Sequence, residues 1–247
     1  MYKNIIELKE KFEEIKKLGW IKSTINGNSS IGRTFETLLG NEENSFEIPD
    51  YNGIEIKTKL SKKNIYTTLF NCKPEGLHYM ETERLKDTYG YPDSNIPKYK
   101  VLNNSVFCNN KTIIGNNFKF QLVVNRKDKK IYLYIYDLKN NLIENNVYWD
   151  FDILKEKLYR KLKYLAYIKA IKKYTKNEVY FKYTKINFYK LKSFEEFIKL
   201  IEQGKIRITF KISIYKKGKK IGKTYDHGTG FDIKEENLIS LYEKIKI

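Results

Sequence analysis

The stretch Pro49-Asp50-Tyr51-Asn52-Gly53-Ile54-Glu55-Ile56-Lys57 places two carboxylates and an amine close together in the chain. Ile54 and Ile56 alternate with Glu55 and Lys57, which predicts a β-strand, and Asn52-Gly53 predicts a turn just before it. Residues two apart on a strand share a face, ~6.6–6.8 Å from each other. Glu55 and Lys57 therefore project together while the isoleucines pack inward, and Asp50 enters from across the turn. Two carboxylates and the carbonyl of Ile56 offer the hard oxygen ligands that Mg²⁺ takes. Lys57 beside them would orient or deprotonate a water, or neutralise charge building on a phosphate. That set fits metal-assisted phosphodiester hydrolysis. Taken alone, the same residues also fit an ordinary amphipathic strand with a solvated Glu and Lys. Glu36, in Gly32-Arg33-Thr34-Phe35-Glu36 just upstream, adds a third carboxylate. Acids gathered here repel one another unless a cation binds or basic residues compensate.

The charge balance points to the same class of partner. The 247 residues carry 48 Lys+Arg against 30 Asp+Glu, a formal net charge of +18. Between Phe151 and Tyr225 stand 22 Lys+Arg and 6 Asp+Glu. A one-sided excess of this kind fits a polyanion, either nucleic acid or an anionic membrane surface. Only Arg33, Arg84, Arg126, Arg160 and Arg207 are arginines, and lysine grips phosphate as a point charge more than it reads bases. No apolar run approaches the ~18 residues of a membrane span, and the acid-containing N-terminus does not read as a leader. Cys72 and Cys108 are the only cysteines, which argues against a disulfide framework or a cysteine zinc site.

Several polar residues outside the acidic stretch are candidates for contact with DNA. His227, in Asp226-His227-Gly228-Thr229-Gly230-Phe231, fits a groove contact or a surface turn. With two histidines in the chain, a histidine metal site is not expected. His78, in an irregular region, reads as a base contact or a solvated loop residue. Arg207 and Lys211 alternate onto one polar face and suit guanine or phosphate. Lys59, two residues past Lys57, joins them. Lys216, Lys217, Lys219 and Lys220 form a hairpin tip suited to phosphate or to solvent. Gly228 and Gly230 would allow close backbone approach to DNA.

The elements that must position these groups alternate between two periodicities. Ile5, Leu8, Phe12, Ile15 and Leu18 predict a helix over residues 4–18. A polar loop spans 26–33, a short helix 34–39 stops at Gly40, and an acidic loop covers 41–49. YTTLF at 66–70 is expected to partner the strand bearing Glu55. Residues 71–117 read as irregular, with a helical stretch near 80–87. Residues 118–124 and 131–137 predict a hairpin. The longest helix is expected over 151–172. Ser193 and Glu196 form a capping box for a helix 194–203 that ends at Gly204. Residues 205–215 alternate as one strand, 216–220 turn, a strand-like stretch runs toward 226–233, and 235–245 closes as a helix. The mixture is α/β or mixed α+β.

The blocks SIGRTFETLLG, PDYNGIEIKTK and YTTLF, followed by SFEEFIKLIEQGKIRITFKI and HGTGFDI, occur in the order shown by one branch of the PD-(D/E)xK nucleases. The sequence resembles the MutH and MvaI/BcnI branch. Tyr89-Gly90-Tyr91-Pro92-Asp93 makes it closer to the MvaI/BcnI restriction endonucleases. The matched blocks cover about half of the chain, and residues 71–150 match poorly. The resemblance implies a PD-(D/E)xK core, a mixed sheet flanked by helices, with two lobes around a DNA cleft. The expected lobes are an acidic catalytic one of roughly residues 1–150 and a basic DNA-gripping one of roughly 151–247, in a single nuclease domain. It further implies catalytic Asp50, Glu55, Lys57 and Glu36, with Mg²⁺ held by Asp50, Glu55 and the Ile56 carbonyl. The implied activity is that of a monomeric type II restriction enzyme. It would cut duplex DNA at a CCNGG-like pseudo-palindrome, leave 5′-phosphates, and work in a prokaryotic cytoplasm beside a separate methyltransferase. The alternatives are a MutH-like mismatch-repair nickase and a non-catalytic DNA-binding module.

Overall fold

The computed structural model describes residues 1–27, 29–40, 48–61 and 66–247. Most of the predicted acidic loop 41–49 lies outside them. The chain forms two compact units that interleave in sequence rather than dividing near residue 150. One comprises Met1–Ile65, Lys157–Lys192 and Leu238–Ile247, the other Tyr66–Glu156 and Ser193–Asn237. Among the described residues no helix is long and apolar enough to cross a membrane.

The first unit is built on a five-stranded sheet. Its order is Ile21–Lys22, Glu178–Leu191, Tyr164–Thr175, Glu55–Leu60, and Tyr242–Ile245 also pairs with Glu178–Leu191. All pairings are antiparallel except that of Tyr164–Thr175 with Glu55–Leu60. The N-terminal helix, Tyr2–Lys17, buries Ile5, Leu8, Phe12 and Ile15 as its spacing predicts. Those side chains share one core with Phe35, Ile54, Ile56, Ala166, Ile168 and Phe188. The second helix begins earlier than expected, at Ser30, and runs to Leu38.

Three expectations about this unit give way. The 151–172 helix ends at Leu162, and Tyr164–Thr175 is a strand. Leu165, Ala166, Tyr167 and Ile168 are all buried, so this strand is covered on both faces. A continuous apolar run of that kind does not separate strand from helix by period alone. YTTLF does not partner the Glu55 strand. Tyr66–Asn71 pairs with Gly230–Lys234 in the second unit, where Phe70 stacks on Phe231 at 5.0 Å and Thr68 donates to Asp232. The segment 235–245 is a 3₁₀ turn, a four-residue helix Leu238–Leu241 and a strand Tyr242–Ile245, not one closing helix.

The second unit holds two four-stranded antiparallel sheets. One orders Leu142–Asp150, Lys130–Asp137, Phe118–Asn125 and Thr112–Ile114, and contains the predicted hairpin. The other orders Tyr66–Asn71, Gly230–Lys234, Ile206–Thr209 and Ser105–Val106. The helix expected near 80–87 is Glu81–Tyr89. Residues 205–215 split into Ile206–Thr209 and Ile212–Ile214, because Phe210 N–H leaves the ladder to donate to Asn104 O. Ile206, Ile208, Phe210, Ile212 and Ile214 are nevertheless all buried. Ser193 caps the helix Phe194–Glu202, its side chain accepting from Glu196 N–H at 3.1 Å. Ser193→Ala should cost about 1 kcal/mol, read as a lower denaturation midpoint with unchanged slope.

Candidate active site

The acidic stretch adopts the predicted turn and strand. Asn52 and Gly53 both have positive φ, at 43° and 86°. Tyr51 and Ile54 exchange two backbone hydrogen bonds across them, at 3.0 and 2.7 Å. Positive φ at both central residues is a type I′ turn, which asparagine and glycine adopt most readily. The turn folds Asp50 back beside the strand Glu55–Leu60, where its Oδ2 accepts from Ile56 N–H at 2.8 Å. Among the described residues that strand lies at the edge of its sheet. In an extended residue N–H and C=O point to the same side. The Ile56 carbonyl therefore faces the free edge that Asp50 occupies, as a metal ligand would.

Glu55 is the unusual group. It is 1% exposed, and its two oxygens have different surroundings. Oε1 accepts from Lys57 Nζ at 2.6 Å and lies 3.6 Å from Lys161 Nζ. Oε2 is buried and has no hydrogen-bond partner among the described residues. Burial lifts the carboxyl to about 7, Asp50 adds to the rise, and the two lysines oppose it. Burial also raises the Tyr242 hydroxyl, helped by the charge on Glu55. A buried oxygen without a partner is costly, and a divalent cation beside Asp50 would satisfy it. The donor set is all oxygen, as Mg²⁺ requires. Among the described residues no three of His, Cys, Asp and Glu gather in metal-binding fashion. Asp50, Glu55 and the Ile56 carbonyl would thus hold the ion together with substrate and solvent oxygens.

Glu36 does not join that pair as a third clustered carboxylate. It lines a cavity with Gly32, Arg33, Thr58 and Lys59, toward the far end of the same strand, and its charge contributes to raising the buried Tyr183 hydroxyl. Lys161 was not expected. It stands at the end of a lysine-dense helix, and no local pattern distinguishes it from Lys155, Lys157 or Lys163.

The DNA-contact candidates of the second unit are placed as follows. Arg207 lays its guanidinium over the Tyr66 ring at 3.4 Å and sits 3.7 Å from Asp232. Lys211 Nζ donates to Thr68 Oγ1 at 3.2 Å and lies 4.0 Å from Asp232. The two basic residues thus converge on Asp232, a buried acid that sequence spacing did not reveal. His227 is exposed, packed edge-on to Tyr225 at 4.2 Å, with Nε2 3.1 Å from Ser213 Oγ. His78 is exposed, ahead of the helix Glu81–Tyr89. Thr82 of that helix donates to Asp226, the neighbour of His227. Gly228 has φ +92°, and a Cβ there would meet Asn71 at 2.9 Å, so the protein's own packing already requires that glycine.

Known proteins share this architecture. The sequence profile of the MvaI/BcnI restriction endonuclease family matches residues 9–242. The solved complex of restriction endonuclease MvaI with its cognate DNA substrate is 34% identical. That match covers 99% of this chain and 98% of the other, with a TM-score of 0.91. MvaI in the absence of DNA is 32% identical over the same shares, with a TM-score of 0.63. No curated protein sequence matches significantly. A profile spanning nearly the whole chain, on a mixed α+β fold shared with a solved restriction enzyme, shows that the chain belongs to the MvaI/BcnI restriction endonuclease family and is a site-specific type II deoxyribonuclease.

Proposed function

We propose that this enzyme uses Mg²⁺ to hydrolyse phosphodiesters of duplex DNA within a short pseudo-palindrome of the CCNGG kind, leaving 5′-phosphate ends. It works as a monomer in a prokaryotic cytoplasm, beside a separately encoded methyltransferase that protects host sites. The carrying observation is Glu55, with one oxygen against two lysines, the other buried and without a hydrogen-bond partner among the described residues, and the charge of Asp50 acting on the carboxyl. The metal, when bound, polarises a phosphoryl oxygen and lowers the pKa of its water. Asp50 and Glu55 hold it, and the Asp50–Ile56 hydrogen bond fixes the distance between turn and strand. Lys57 orients the attacking water or meets charge on the phosphate. Lys161 keeps a positive charge at Glu55 Oε1 when Lys57 turns to that task. Glu36 supports the site from the helix Ser30–Leu38, and Lys59, His78, Arg207, Lys211 and His227 contact DNA. The MvaI–DNA complex supports duplex DNA as the substrate.

Digestion of a plasmid of known sequence, followed by run-off sequencing of both strands, tests the target. Every cut should fall within a CCNGG-like site, and the ends should be religated without added kinase. Cuts at unrelated sequences, or ends that need phosphorylation before ligation, would refute the assigned target or products.

A further inference from the structure

The sheet of Tyr66–Asn71, Gly230–Lys234, Ile206–Thr209 and Ser105–Val106 has one apolar and one polar face. Ile206, Ile208, Phe231 and Ile233 are fully buried on the first. On the second, Thr68, Asp232 and Arg207 stand directly opposite one another on three strands, and Thr209 pairs with Gly230 one side-chain repeat away. Asp232 is buried, and a buried carboxylate needs partners. It takes hydroxyls as its hydrogen-bond donors. Oδ1 accepts from Thr68 at 2.7 Å, and Oδ2 accepts from Thr209 at 2.8 Å. Each oxygen also faces one cation at longer range, Oδ1 the Lys211 Nζ at 4.0 Å and Oδ2 the Arg207 Nη2 at 3.7 Å.

Those two separations attract without hydrogen bonding. Arg207 is thus drawn to Asp232 without spending its donors there. Its guanidinium plane is fixed by the Tyr66 ring, and its Nε is buried with no hydrogen-bond partner among the described residues. Lys211 is held from two further sides. Its Nζ donates to Thr68 Oγ1 at 3.2 Å. An ammonium only donates, so the Thr68 hydroxyl must turn its own proton to Asp232. Gly230 supplies the room, because a Cβ there would sit 2.7 Å from Lys211 Nζ. Gly230 is not among the glycines with positive φ, so its backbone would accept other residues and the ammonium is what needs the glycine. Both cationic side chains remain partly exposed.

We propose that Asp232 is a positioning residue for target recognition, holding Arg207 and Lys211 in one fixed posture with the help of the space at Gly230. Groups fixed in advance favour the one arrangement of acceptors that a target presents, whereas mobile cations serve any phosphate. Asp232 itself repels DNA, so its contribution is to selectivity and not to general affinity. This rests on the reading of Arg207 and Lys211 as DNA contacts and adds what holds them in place.

The test compares Asp232→Asn and Gly230→Ala with the unaltered protein in Mg²⁺. Two quantities are measured: kcat/KM for a duplex carrying the site at which the unaltered protein cuts a plasmid, and the inhibition constant of the same duplex with that site scrambled. Asparagine keeps both hydroxyl partners, since its oxygen accepts from Thr68 and its amide donates to Thr209, and it removes only the charge. It should lower kcat/KM on the target by ~10-fold or more, while the scrambled duplex competes as tightly as before or more tightly. Gly230→Ala keeps every charge and displaces the end of Lys211, so it should lower kcat/KM on the target and leave the competition unchanged. The two variants act by different means, so misfolding of one leaves the other as the test. An unchanged kcat/KM in the folded variants overturns the proposal. So does a fall matched by weaker competition from the scrambled duplex, which would mean a merely structural role. Target cutting by the unaltered protein together with either of those results removes the positioning role alone. An unaltered protein that neither cuts nor binds DNA removes the reading beneath it.

Discussion

Lys57→Ala should lower the single-turnover rate of DNA cleavage at saturating Mg²⁺ by at least ~10³-fold, with duplex affinity in EDTA changed far less. The ammonium is held 2.6 Å from Glu55 and is 21% exposed, so it reaches both the carboxylate and any substrate above it. A group that acts on the attacking water or on charge developing at phosphorus is used in the transition state, not in binding. Its loss therefore falls on the rate. Lys161 remains 3.6 Å from Glu55 in the variant, so the carboxylate keeps a cationic neighbour and the fold is not left with a lone buried charge. A rate loss under tenfold, or a loss explained wholly by weaker DNA binding, would remove Lys57 from the chemistry.

Glu55→Gln should separate stability from activity. The folded carboxyl sits at about 7 against an ordinary 4.5, chiefly through burial. A carboxyl whose folded value is raised favours the native state fully below the unfolded value. That advantage is lost as pH climbs from about 4.5 through about 7. Above that window the metal-free protein carries the cost of a buried charge, on the order of 3 kcal/mol. Glutamine keeps the shape, offers Lys57 an acceptor and removes the charge. In EDTA at pH 8 the variant should exceed the unaltered protein by about 1–3 kcal/mol in urea unfolding, with the gap closing toward pH 4.5. Both lysines at Oε1 are partly exposed, at 21% and 28%, so water screens them once the charge is gone. Divalent metal should stabilise the unaltered protein and leave the variant unmoved. A variant less stable than the unaltered protein at pH 8 would mean that the carboxylate is a structural partner of the lysines, not a metal ligand.

The parts of the fold legible in the sequence are those fixed by local chemistry. Asn52-Gly53 specifies its own turn, Ile54 and Ile56 give the strand its inward face, and Ser193 and Glu196 cap their helix. The hairpin of residues 118–137 follows from two alternating runs and a polar tip. The errors arose where tertiary partners decide. Leu165 to Ile168 read as an extension of the preceding helix because a strand buried on both faces loses its alternation. Tyr66–Asn71 follows the Glu55 strand closely in sequence, which favours pairing the two, but Phe231 and Asp232 give it a better partner elsewhere. At the site, Asp50, Glu55 and Lys57 could be found because eight consecutive residues contain them all. Lys161, Tyr242 and Asp232 reach their places from distant segments, and their neighbours in sequence are chemically too similar to single them out.

Supercoiled-plasmid digestion across a Mg²⁺ titration, with an EDTA control, probes metal-assisted hydrolysis at Asp50, Glu55 and Lys57 without intermediary. Discrete linear fragments should appear with a yield that follows Mg²⁺. None should form in EDTA, and none from the Lys57→Ala protein at matched DNA occupancy. Discrete fragments formed in EDTA, or formed undiminished by the variant, would rule out metal-assisted hydrolysis at these three residues.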